Sequence, residues 1–274
     1  MSTHQRLDCQ LVWNRLAILV SSMAIAVLLS FIYTLPAAAQ MPMPKSAGGV
    51  DATSKPLGMA MMDNQVFTHV WLDQFEGRTS GPNNELRWDG EGWIGTDMNR
   101  LWIKSEGLNN GKTVSDGDHE ALYDRPIPRM RYFDAQVGVR SDLDSGPARA
   151  WAALGVEGTA PYFFQFAPTL YFRDNGNVAG RLTGSYDLLL SQRWIVQPEV
   201  ELNFYSKDDP GRRIGSGLSD LDAGVRLRYE IRRKFGPYIG FAYNGTYGNT
   251  ASYSRQAGES TSNPRFVFGL RLWY

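Results

Sequence analysis

The sequence predicts an all-β fold, an antiparallel up-and-down transmembrane barrel of about twelve strands. Three observations predict it. Long stretches alternate between apolar and polar residues, no stretch beyond residue 39 approaches the eighteen apolar residues of a helical span, and the chain finishes on a strand-like aromatic run. The clearest alternation is Asp220 to Arg232. Leu221, Ala223, Val225, Leu227, Tyr229 and Ile231 share one face; Asp220, Asp222, Arg226, Arg228, Glu230 and Arg232 share the other. A helix would spread those charges around its circumference, so the period is two. The C-terminal RFVFGLRLWY repeats the pattern, with Phe266, Phe268, Leu270, Leu272 and Tyr274 opposed to Arg265, Gly269 and Arg271. Termini fray unless tied down, so a strand running to the last residue calls for a partner. Pairing it with the first strand removes both sheet edges, as a bilayer requires.

Composition narrows the function classes. Twenty-eight Lys and Arg residues balance 28 Asp and Glu, so the chain lacks the basic excess with which a nucleic-acid binder displaces counterions. One cysteine excludes an internal disulfide, a Cys-rich zinc site and an iron–sulfur cluster.

In chain order, residues 1–39 read as a secretory signal peptide. Arg6 and Arg15 precede an uncharged run from Leu16 to Leu35, and Pro36-Ala37-Ala38-Ala39 supplies the small residues of a cleavage site. Cys9 precedes that run and leaves with it, so the exported chain has no thiol to mispair in an oxidising periplasm. Residues 40–64 are rich in Pro, Gly and small side chains with no apolar period, and read as a short disordered tail. Five of the nine methionines fall there: Met41, Met43, Met59, Met61 and Met62.

The barrel is expected over 65–274. Weaker strands fit Val66 to Glu76, Glu85 to Gly95, Arg100 to Glu106 and His119 to Arg125. Stronger ones fit Tyr132 to Arg140, Arg149 to Glu157, Phe163 to Arg173, Val178 to Leu190, Trp194 to Tyr205, Asp220 to Arg232, Tyr238 to Tyr247 and the C-terminal run. Strands of nine to fourteen residues suit a tilted bilayer crossing. Pro198 weakens its strand or marks a bulge. Asp174-Asn175-Gly176-Asn177 reads as a tight hairpin and Lys207-Asp208-Asp209-Pro210-Gly211 as the opening of a longer loop. Trp71, Trp88, Trp93, Trp102, Tyr162, Trp194, Tyr205, Tyr243 and Trp273 lie near strand ends, where aromatic girdles are expected. Arg181, Asp187, Glu199, Glu201, Arg226, Arg228, Glu230 and Arg271 are expected to point inward and pair across an occluded lumen.

Several stretches carry a more specific likeness. WDGEGWIG (88–95), LWIKSEG (101–107), DAQVGVR (134–140), YDLLLSQRWIVQPEVELNFYSKDDP (186–210) and IGSGLSDLDAGVRLRYEIRRKFGPYIGF (214–241) resemble the bacterial copper resistance protein B family, colinearly from about Thr68 to Tyr274. The resemblance implies an outer-membrane barrel that protects cells from excess copper and is encoded with periplasmic copper oxidases and copper carriers. It also implies a Met-rich, often His-rich segment between signal and barrel, matched here by Met41, Met43, Met59, Met61 and Met62. This segment is short and has no histidine, which argues against high-capacity sequestration.

The candidate ligands follow from softness. A thioether is a soft, uncharged ligand suited to Cu(I), and Met59-x-Met61-Met62 supplies three in four residues; the alternative is a plain flexible linker in which the methionines have no role. His69, seven residues on, can add an imidazole that also suits Cu(II), or serve as an interfacial or lumenal side chain. His119, within Asp116-Gly117-Asp118-His119-Glu120, can form a harder nitrogen and oxygen site or play a structural role. Copper handling here means binding of copper by the Met-rich tail, control of copper passage across the outer membrane, or both. Two other functions stand beside it: a passive pore or surface-binding barrel without metal, and a barrel hydrolase using His69 or His119. No Gly-x-Ser-x-Gly elbow, P-loop or His-Glu-x-x-His supports an enzyme. Expected partners are outer-membrane lipid, the barrel insertion machinery, copper ions and, from the resemblance, a periplasmic copper oxidase or carrier.

Overall fold

The computed structural model describes residues 65–274 apart from 81, 82, 112, 131 and 145, so the signal and the Met-rich leader lie outside the described residues. The strands are β1 (Phe67–Ser80), β2 (Asn83–Gly95), β3 (Arg100–Asn109), β4 (Val114–Pro126), β5 (Phe133–Asp142), β6 (Arg149–Ala160), β7 (Phe164–Phe172), β8 (Val178–Ser185), β9 (Leu188–Leu189), β10 (Trp194–Tyr205), β11 (Gly217–Tyr229), β12 (Phe235–Thr246) and β13 (Ser262–Trp273). All pairings are antiparallel, and β13 returns to β1. The short β9 continues the line of β8, since both lie along β10. The barrel therefore has twelve staves.

Two irregularities shape the wall. The run expected as one strand from Val178 to Leu190 is broken at 186–187. There the Tyr186 N–H reaches the Pro198 carbonyl at 3.1 Å, and Pro198 has no amide proton to return. In β1 a bulge falls between Leu72 and Phe75. The bulge aims two successive side chains inward: Asp73 pairs with Arg271 at 2.6 Å, and Gln74 accepts from Arg226 at 2.9 Å.

Closure uses the last residue, as the sequence predicts. Trp71 stands opposite Trp273 and Leu72 opposite Leu272. The Val70 N–H donates to the Tyr274 carbonyl at 3.1 Å, and the Tyr274 N–H returns to Val70 at 2.8 Å.

Alternate residues face the hydrocarbon. Val225, Ile239, Phe241 and Phe268 are each at least half exposed, and the intervening charges point inward. Trp88 lies between inward-facing Arg87 and Asp89, so it is outward, yet it is only 2% exposed. Its ring lies over Gly107, where an added Cβ would stand 2.4 Å from the indole carbons. The glycine is the seat of the tryptophan.

Loop lengths orient the molecule. Both ends of the barrel sequence emerge at one rim, joined there by short turns such as 96–99, 161–163 and 230–234. The opposite rim carries the longest connections, 206–216 and 247–261. Short turns are periplasmic and long loops extracellular in such barrels, so β1 begins and β13 ends on the periplasmic side.

The long extracellular loops are fastened. Helix α1 (Gly248–Gln256), which no apolar period announced, buries Thr250 and Ala251. The Thr250 hydroxyl accepts from the Gly215 N–H at 2.8 Å and meets Ser219 Oγ at 2.9 Å. Asp209 pairs with Arg149 at 3.0 Å and Arg212 pairs with Asp144, which draws the 206–216 loop toward the β5–β6 connection. The Ser216 N–H and the Asn249 amide hold the Asp208 carboxyl below the usual carboxylate range.

Candidate functional site

The lumen is built by the inward half of each alternation. At mid-height five arginines from five strands interlock with carboxylates of the facing walls. Arg226 of β11 bonds Glu76 of β1 at 3.0 Å and Glu199 of β10 at 3.1 Å. Arg78 of β1 bonds Glu76 and Asp222, both at 2.8 Å. Arg87 of β2 reaches Asp222, Glu106 and Glu201 at 3.3–3.8 Å. Arg181 of β8 meets Glu106, Asp118 and Glu201, and Arg140 of β5 pairs with Asp118 and Asp142 at 2.7 Å. Glu76, Arg78 and Arg226 are 0%, 1% and 3% exposed. Paired mixed charge is the tolerable way to fill a lumen with long polar side chains, because each ion left alone there bears its full desolvation cost. The inward set expected from sequence is confirmed in full, with Arg228 and Arg271 sharing Asp187 nearer the periplasm.

Below this belt lies a cavity of about 790 Å³ whose lining runs from Glu106, Asp118 and Arg181 of the belt to His69, Trp93 and Trp273 at the periplasmic rim. Eleven carboxylates but only four Lys or Arg side chains line it. Low-dielectric walls focus such an excess into a potential that concentrates cations. Lys104 is held within it by Glu157 at 2.5 Å and Glu91 at 3.6 Å.

The rim of this vestibule is aromatic. The His69 ring centroid lies 4.8 Å from Trp71, 5.7 Å from Trp273 and 6.4 Å from Trp93, and Trp102 stands edge-on to Trp71 at 5.2 Å. Trp71, Trp93, Trp102 and Trp273 therefore line the vestibule rather than the lipid girdle expected of them, and Tyr205 packs on Trp151 at 6.4 Å. Tyr162 and Trp194, 88% and 45% exposed at the periplasmic rim, do fit a girdle.

Of the predicted ligands, His69 and His119 lie among the described residues, and His69 is half-buried in this aromatic mouth. Met41, Met43, Met59, Met61 and Met62 lie outside them. His119 does not join its acidic neighbours. Asp118 and Glu120 point into the lumen, so His119 between them faces outward, where Nδ1 meets Ser105 Oγ at 3.0 Å. That serine, 3% exposed, also accepts from the Trp88 indole at 3.3 Å. His119 Nε2 has no partner among the described residues, so the Ser105–His119 pair lacks both access and an orienting acid. Among the described residues no group of three or more His, Cys, Asp or Glu side chains is arranged to hold a metal.

The sequence profile of the copper resistance protein B precursor family matches residues 66–274. The chain belongs to this family. It is 41% identical over 218 residues to copper resistance protein B of Escherichia coli and 40% identical over 218 residues to the homolog of Pseudomonas syringae pv. tomato, covering 79% of this chain and 73% of each relative. Among solved structures, a NanC porin is similar over 75% of this chain and 99% of its own, with 13% identity and a TM-score of 0.47. A KdgM porin is similar over 74% and 98%, with 12% identity and a TM-score of 0.43. As a member of this family, the barrel resides in the outer membrane, belongs to copper resistance and is not an enzyme.

Proposed function

We propose that the protein protects against copper from the periplasmic face of the outer membrane, holding Cu(I) between thioethers of its Met-rich leader and the His69 imidazole. One observation carries this reading. The strand that follows the leader places His69 in the mouth of an acid-rich, periplasm-facing cavity, seven residues after Met62. Copper is cargo here. The carboxylates raise the local cation concentration without a preformed metal geometry, and the soft donors that select Cu(I) come from the leader. The arginine belt argues against a passive pore, because its ion pairs cross the lumen. A periplasmic copper oxidase or carrier fits as a partner on the side where the vestibule opens.

Cells depending on this protein for copper tolerance test the reading. Deleting Met41 to Met62 is expected to lower tolerance at unchanged barrel abundance, with a smaller loss for His69→Ala. Tolerance equal to that of the full chain in both variants overturns it.

A further inference from the structure

We infer that the aromatic mouth of the vestibule is the docking site of the chain's own leader, with Met59, Met61 and Met62 seated against Trp71, Trp93 and Trp273 in the copper-free protein. This goes beyond copper binding and does not depend on it.

Reach and chemistry choose the occupant. The described chain starts at Gln65 on the periplasmic rim, two residues before β1. At about 3.3–3.6 Å per extended residue, Met62 lies within about 11 Å of Gln65 and Met59 within about 22 Å, so all three thioethers can enter the mouth. A tether this short gives an effective concentration in the millimolar range, so modest contacts suffice to hold the segment.

The mouth suits methionine. Thioether sulfurs favour the faces and edges of aromatic rings, and the unbranched side chain fills irregular gaps. Here four indoles and an imidazole surround the opening. Trp102 is 6% exposed and its indole N–H has no acceptor among the described residues, a donor left over for a thioether or a backbone carbonyl. Lys55, four residues before Met59, can bring a cation toward the carboxylates behind the rim.

The test uses the exported full-length protein, folded in micelles with a copper chelator present. Gln192 lines the mouth from the turn before β10 and is exposed, so a Gln192→Cys variant reports access to the mouth in a chain whose sole native cysteine, Cys9, precedes the barrel. Its maleimide labelling and the acrylamide quenching of tryptophan emission are compared with and without the added triple change Met59→Ala, Met61→Ala, Met62→Ala, which keeps the tether and removes the thioethers. Docking predicts slower labelling and weaker quenching in the parent, with loss of that protection in the triple variant. Equal labelling and quenching in the two proteins overturns the proposal. So does protection that survives the triple change, including protection that grows with protein concentration and thus comes from a second copy.

Discussion

Replacing Glu76 with leucine is expected to destabilise the folded barrel by about 3–5 kcal/mol, the range found when one partner of a buried ion pair is removed. Glu76 is fully buried and accepts four hydrogen bonds: from Arg78 Nε at 2.8 Å, from Arg226 Nε at 3.0 Å and Nη2 at 3.2 Å, and from the Tyr238 hydroxyl at 3.0 Å. Leucine leaves two guanidinium groups short of their shared acceptor in a lumen where they are 1% and 3% exposed. Asp222 and Glu199 still serve Arg78 and Arg226, which keeps the loss nearer the lower end. Glu76→Gln preserves shape and some acceptor capacity, and should cost less. The urea midpoint of the folded form, followed by its heat-modifiable mobility on gels, measures both; a Glu76→Leu midpoint equal to the parent's would show that the belt does not stabilise the barrel.

Truncation after Leu270 is expected to abolish the closed barrel. It removes the pairing of Trp71 with Trp273, that of Leu72 with Leu272, the reciprocal bonds between Val70 and Tyr274, and the Arg271–Asp73 ion pair. The first half of β1 then presents unpaired N–H and C=O groups at a sheet edge. In hydrocarbon each such group costs several kcal/mol, so a handful exceeds the about 5–15 kcal/mol by which folded domains are typically stable. Trp273→Phe keeps the backbone pairing and most of the ring packing, and should still close. Absence of the heat-modifiable form in the truncated protein, beside its presence in Trp273→Phe, is the expected result. A heat-modifiable truncated barrel would mean that β13 closes without its last four residues.

The strands were legible because each face meets a different solvent. Where lipid lies outside and paired charge inside, alternation is strict, as along Asp220 to Tyr229, and the final strand advertised its own closure. Nearness to strand ends points Trp71, Trp93, Trp102 and Trp273 to a lipid girdle, whereas their parity points them inward. Trp93 shares parity with Asp89 and Glu91, and Trp273 with Arg271, so the sequence held the signal for a lumenal mouth. Parity also set His119 against Asp118 and Glu120, which rules out a site made of the three. Three features had no local signal. The β1 bulge reverses parity between Asp73 and Gln74 without a glycine or proline to mark it. Helix α1 has a polar sequence and is held by Thr250 against Gly215 and Ser219. The cross-lumen partners, such as Arg226 and Glu76 at 150 residues' separation, depend on how the closed barrel brings its facing walls together.

Copper held at the periplasmic mouth is most directly tested by titrating the exported protein with Cu(I) against a competing chelator. The full chain, the chain lacking Met41 to Met62 and the His69→Ala variant are measured side by side. The full chain should bind Cu(I), deletion of the leader should abolish that binding, and His69→Ala should weaken it without abolishing it. Equal stoichiometry and affinity in all three proteins would place copper elsewhere and contradict the account.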